Sequence, residues 1–273
     1  MPSAARPVVI CAPTKQAATA LLAAARDAQG EQAPGWPVED SAPVTLQQSD
    51  TGWVLTRHRA ARVKALATCP DLPVVVAETL PDTGPAPRVL GLVLPADGTQ
   101  SAARGFLSAL LDDLTRHHAR GGGLRDLVSG RRPRIGWRPG ARPHAVLILD
   151  DALRFLDLPP LPFDQIDAWE MAQAGQWWGE APPESAARPG AWVEAFAAMD
   201  ASWSGRLEGF VRHLAALGIG CDVLPVSRTG FDRATGRAAG DDTPPGRQVA
   251  FNLGVLVQLL GGEARLARPA IGA

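Results

Sequence analysis

The sequence has no tyrosine, only three cysteines and, among 27 basic residues, lysine at Lys15 and Lys64 alone. Without tyrosine, one common general acid is missing from any active site. Cys11, Cys69 and Cys221 are far apart, odd in number and in no CxxC pair. That usage fits reduced, buried thiols and not a disulfide framework. His58, His117, His118, His144 and His213 form no HxH or HExxH spacing, so a zinc site is not expected. The chain also lacks a GxxxxGK[ST] loop and a GxSxG elbow, which removes the P-loop and the α/β-hydrolase nucleophile from consideration. No apolar run reaches the length of a membrane span, and the run at residues 8–11 is too short for a signal peptide. A cytoplasmic protein is the expectation. With 27 basic against 28 acidic residues, no global field draws it to nucleic acid or membrane.

Apolar residues make up 46% of the chain and charged residues 20%, enough for a packed core. Short apolar runs alternate with helical spacings, which predicts an α/β fold: a mixed, largely parallel sheet covered by helices. Residues 6–12 read as a strand, followed by an Ala-rich helix to residue 28 with Thr14 as its N-cap. Residues 44–48 and 53–56 alternate around a Gly-bearing turn and predict a β-hairpin. Residues 60–67 read as a short helix. Residues 72–78 and 89–94 read as two strands joined by a linker too short for a crossover helix, hence as antiparallel neighbours. Residues 102–118 carry one apolar helical face.

In the second half, residues 144–149 are an unbroken apolar strand, the kind buried on both faces of a parallel sheet. A helix is expected from residue 151, another over 164–171, and a long one in which Trp192, Phe196, Met199, Trp203, Leu207, Phe210, Leu214 and Leu217 form a continuous stripe. Gly205 and Gly209 within it suggest a kink or a close backbone approach, and Gly218 a C-cap. Residues 221–227 read as a strand that Pro225 places at an edge or near a bulge, residues 228–248 as a long polar loop, and residues 249–260 as a closing helix. The organisation expected is an N-terminal lobe over 1–118, an Arg/Gly-rich linker over 119–142, a C-terminal lobe over 143–262 and a tail over 263–273.

Asp150 and Asp151, at the carboxyl end of the buried strand, are the first candidates for chemistry, because ligands of open α/β sheets bind at that rim. Paired carboxylates there could hold Mg²⁺, or one could simply cap the next helix. An apolar strand ending in two aspartates resembles the first strand of a response-regulator receiver and a Walker B strand. A receiver needs a late lysine, and none follows Lys64. A Walker B strand needs the absent P-loop. If the sheet is parallel, the chain after Val226 would bring Ser227, Arg228, Asp232, Asp241 and Asp242 to the same rim, with Arg228 suited to an anionic substrate.

A second group of candidates points to partners. Arg116, Arg120, Arg125, Arg131, Arg132, Arg134, Arg138 and Arg142 face a single acid, Asp126, around Trp137, a composition that also suits single-stranded nucleic acid. The following segment, 143–203, is acidic and can satisfy an arginine arm internally. Trp177 and Trp178 adjoin a Gly/Pro/Glu loop and suit a protein contact. The reading taken from sequence is a soluble, non-catalytic binding or adaptor protein that contacts a protein partner through Trp177, Trp178, Arg131, Arg132, Arg134 and Trp137. The alternatives are a metal-assisted hydrolase or phosphoryl-transfer enzyme using Asp150, Asp151 and Arg228 with Mg²⁺, and nucleic-acid binding along 116–142.

Overall fold

A computed structural model describes residues 6–29, 44–60, 66–68, 71–81, 86–95, 101–120, 143–151, 201–232, 234–235 and 239–261. In chain order these form β1 (Val8–Cys11), α1 (Lys15–Ala28), β2 (Val44–Ser49), β3 (Gly52–Ala60), β4 (Leu66–Thr68), β5 (Leu72–Ala77), β6 (Val89–Pro95), α2 (Ser101–Arg120), β7 (His144–Asp150), α3 (Ala201–Ala216), β8 (Cys221–Pro225), β9 (Ser227–Asp232), a 3₁₀ turn (Pro245–Arg247), β10 (Gln248–Phe251) and α4 (Leu253–Gly261). The main sheet runs β2-β3-β5-β1-β6-β7-β8, with β4 paired to β3, and β9 and β10 form a separate antiparallel pair.

β5, β1, β6, β7 and β8 are all parallel. Counted by order of appearance they lie 2-1-3-4-5, a doubly wound order whose direction of winding reverses between β1 and β6. This is the mixed α/β sheet expected, with the β2–β3 hairpin appended in antiparallel sense at one side. The apolar runs explain the centre. β1 is buried along its whole length, and Ala145, Val146, Leu147, Ile148 and Leu149 of β7 are fully buried. Continuous β-branched and Leu runs of this kind are stable only with partners on both edges and cover on both faces.

The register assigns the faces. A Cβ at Gly91 of β6 would meet Ile10, Ile148 and Leu260 at 3.3–3.4 Å, so α4 lies over that face and needs the glycine for its approach. α1 packs on α4, β1 and β5. The next residue of β1, Cys11, points the other way and feels Asp113 of α2. α2 in turn packs on α3, and α3 on β8. Helices on opposite faces follow from right-handed crossovers that run in opposite directions from the switch.

Several expectations need correction. β6 is not the antiparallel neighbour of β5. Both lie parallel to β1 on either side of it, because an apolar strand buried on both faces draws partners to both edges. The two described ends of the helix expected over 60–67 are strand: β3 runs on to Ala60, and Leu66–Thr68 form β4, paired back onto β3 with Arg59 opposite Ala67, since a two-turn helix is marginal against cross-strand pairing. Residues 61–65 lie outside the described residues. The polar 228–248 segment holds β9 and a 3₁₀ turn, and the closing helix begins only at Leu253, after β10 and Asn252 (φ 58°). Gly205 and Gly209 have open space where a Cβ would stand, so no neighbouring backbone among the described residues requires them.

Other expectations hold. Thr14 Oγ1 accepts the Ala17 N–H, capping α1. Gly218 (φ 68°) closes α3 with the Ile219 N–H on the Leu214 carbonyl and the Gly218 N–H on that of Ala215, the paired bonds of a Schellman cap. β8, with Pro225, is the edge strand. The helices expected over 164–171 and 192–200 fall outside the described residues, as do residues 152–157 of the one expected from residue 151 and the 121–142 segment.

The turn into β9–β10 is the tightest backbone contact. Gly230 (φ 58°) lies opposite Val249 at a bulge, and a Cβ there would sit 1.5 Å from the Val249 carbonyl oxygen. Gly230→Ala should therefore destabilise the protein by at least about 1–3 kcal/mol, measured by urea unfolding. An unchanged midpoint would contradict this geometry.

Candidate functional site

β7 delivers two carboxylates to the carboxyl rim of the sheet. Its last residue, Asp150, lies opposite Pro95 of β6, and the Val226 N–H bonds the Leu149 carbonyl as the chain leaves β8. That turn places β9 directly over the end of β7. Arg228 Nη2 stands 3.2 Å from Asp150 Oδ2. The Ser227 hydroxyl, fully buried, donates to Asp151 Oδ1 at 3.4 Å and accepts the Gly230 N–H at 3.0 Å. The structure thus brings Asp150, Asp151, Ser227 and Arg228 together, as a parallel sheet requires.

The two aspartates differ. Asp150 is 8% exposed, and its Oδ1 is buried without a side-chain hydrogen-bond partner among the described residues. Burial, chiefly, pushes its carboxyl above the usual carboxylate range; Arg228 opposes that shift, the charge of Asp151 adds to it and a hydrogen bond from the Asp151 backbone opposes it. Asp151 has φ 61°, a left-handed conformation that aspartate tolerates better than most residues. The helix that either aspartate could cap falls on residues outside the described ones.

The remaining rim candidates go elsewhere. Asp232 pairs with Arg247 and accepts the Ala234 N–H, contacts that hold its carboxyl below the usual range. Asp241 and Asp242 are exposed, and Asp242 acts on Arg247. At the N-terminus of α1 the Lys15 N–H is bonded by Glu78 Oε1 at 3.2 Å, so that end is an ordinary capped terminus whose anion position a side chain of this protein already fills. Among the described residues no group of three or more His, Cys, Asp or Glu could hold a metal ion. A Mg²⁺ at Asp150 and Asp151 would rely on water or substrate oxygens for its other ligands. Trp177, Trp178, Arg131, Arg132, Arg134 and Trp137 lie outside the described residues.

One buried pair was not legible from sequence. His144 Nε2 and Asp222 Oδ2 lie 2.6 Å apart, with 12% and 6% of their side chains exposed. They sit at the amino end of β7 and β8, and Asp222 is in register with Val146. Nothing short of the strand register links residues 78 positions apart.

Cys11 is fully buried, and burial, with a smaller effect from Asp113, pushes its thiol up to about 12. The apolar-filler reading fits, since a thiol of that pKa is not a nucleophile near neutrality. Cys11 should resist a thiol reagent at pH 8 until the protein is unfolded; labelling at the rate of a free thiol, followed by peptide mapping, would contradict this.

The raised pKa of Asp150 has a definite sign in stability. The native state takes up its proton at higher pH than the unfolded chain does, so stability is gained as pH falls through the folded pKa and levels off below the unfolded value near 3.9. Asp150→Asn lacks this gain. Because Arg228 is 42% exposed, the lost ion pair costs little. The variant should melt at or above the wild-type temperature at pH 7–8, by about 2–4 °C for each kcal/mol involved, with the advantage shrinking toward pH 4. An advantage that grows on acidification would reverse the assignment.

Comparison with protein-family models, with curated protein sequences and with solved structures gives no match for this chain.

Proposed function

We propose that the chain is a hydrolase or phosphoryl-transfer enzyme acting on an anionic substrate at the carboxyl rim of β7, with Arg228 holding the anionic group and Asp150 exchanging a proton with the reacting atoms. The observation that carries this reading is the buried Oδ1 of Asp150, which no side chain among the described residues meets. A polar atom left without a partner costs about 1–3 kcal/mol, and such costs collect where a ligand completes the set. A carboxyl whose pKa burial raises holds its proton to higher pH than an ordinary carboxylate, which suits it to give that proton to a leaving group. Arg228 reaches solvent while touching Asp150, which suits an oxyanion held by its remaining N–H donors. Ser227 fixes Asp151, whose charge favours the protonated form of its neighbour.

The adjacency of Asp150 and Asp151 supports a second reading, in which a hard divalent cation takes the place of the proton at Oδ1 and assists the same reaction. The partner surface at Trp177, Trp178, Arg131, Arg132, Arg134 and Trp137, and nucleic-acid binding along 116–142, draw their support from composition alone.

Turnover of chromogenic phosphate mono- and diesters, with and without Mg²⁺, tests the proposal. Asp150→Asn should lower kcat by about 10²–10⁴-fold, while Arg228→Gln should chiefly raise KM. Calorimetric binding of Mn²⁺ that is lost in Asp150→Asn and Asp151→Asn selects the cation reading. A folded protein that turns over no ester and binds neither Mn²⁺ nor an oxyanion would end both.

A further inference from the structure

We infer that binding of a phosphate-like oxyanion at Arg228 is coupled to uptake of a proton by Asp150, so that the site takes up anion and proton together. The inference rests on the proposed reading of the rim as an anionic-substrate site and adds its regulation by pH.

Among the described residues, Arg228 is the cation that acts on Asp150, and Asp151 is the other charge that does so. Other described ionisable groups of the sheet ends and the β9–β10 pair are placed elsewhere. Lys15 and Glu78 stand at the ends of β1 and β5, two and three strands from β7, at about 4.8 Å per strand. His144 and Asp222 bond each other at the amino end of the strands, roughly 20 Å from Asp150 by the rise of an extended chain. Asp232 and Arg247 pair with each other, and Asp242 acts on Arg247.

One guanidinium therefore serves two places. Through Nη2 it neutralises a carboxylate that is otherwise enclosed, while 42% of the side chain faces solvent. An oxyanion arriving from solvent is best bound by the paired donors of the guanidinium fork, and this draws positive charge away from Asp150. The carboxylate that remains is buried beside Asp151, with no side-chain donor on Oδ1 among the described residues. A buried charge stripped of its partner is the costly case, and transfer of a proton from solvent to the carboxylate removes it. Reciprocity then requires that protonation of Asp150 strengthens anion binding by the same factor.

Sulfate is the probe, because it does not itself titrate between pH 5 and 8. Calorimetry of sulfate binding in two buffers of different ionisation enthalpy reads the protons taken up. The wild type should take up a fraction of a proton, up to one, and its sulfate affinity should rise as pH falls, by at most about tenfold per pH unit. Asp150→Asn should bind sulfate with no uptake and no such pH dependence, and Arg228→Gln should lose binding. Binding without uptake, or uptake unchanged in Asp150→Asn, overturns the coupling and leaves the anion site standing. Failure of the wild type to bind sulfate removes the site and the coupling together. Should Asp150→Asn not fold, a wild-type affinity that is flat from pH 5 to 8 overturns the coupling by itself.

Discussion

Burial of β7 between β6 and β8 is the constraint on which the rest depends. Val146, Leu147, Ile148 and Leu149 are all fully removed from solvent, and each contributes about 1.5–3 kcal/mol, or roughly 6–12 kcal/mol together as an upper bound. The effective penalty for enclosing one carboxylate is several kcal/mol. The apolar stretch therefore wins, and Asp150 is carried with it to the edge of the apolar layer, where it must find a proton, a cation or an arginine.

The same sheet face shows how the fold handles polar atoms. Along β7, side chains alternate, so His144, Val146, Ile148 and Asp150 share one face. The polar members stand only at the two ends, where the strands leave the layer. At the amino end Asp222 answers His144 at 2.6 Å and closes the pair. At the carboxyl end the compensation is partial: Arg228 meets one oxygen of Asp150, and no side chain among the described residues meets the other. A satisfied pair at one end and an incomplete one at the other is what separates a structural contact from a site that a ligand could complete.

β9 and β10 supply the missing half of that site. Arg228 reaches Asp150 because β8 ends at Pro225, Val226 still bonds β7, and Ser227 starts a new strand in a different sheet. Gly230 lets that strand bulge against Val249, and Asp232 with Arg247 ties its far end. The hairpin thus holds an arginine over a rim that an open loop would leave uncovered.

Much of this was written in local sequence. The apolar runs of β1, β6 and β7, the Thr14 cap, the Gly218 stop and the edge position of a strand containing proline are consequences of side-chain size, backbone freedom and missing N–H groups, and they act within a few residues. The position of Asp150 and Asp151 at a strand end belongs with them. Tertiary structure decided what depends on long-range pairing: that β1 separates β5 from β6, that Leu66–Thr68 pair back onto β3, that a polar stretch forms β9, and that His144 meets Asp222. It also decided that Arg228 is shared between a buried carboxylate and water. Such outcomes turn on strand register and burial, which sum many weak contacts from distant segments, and no single stretch of residues carries that sum.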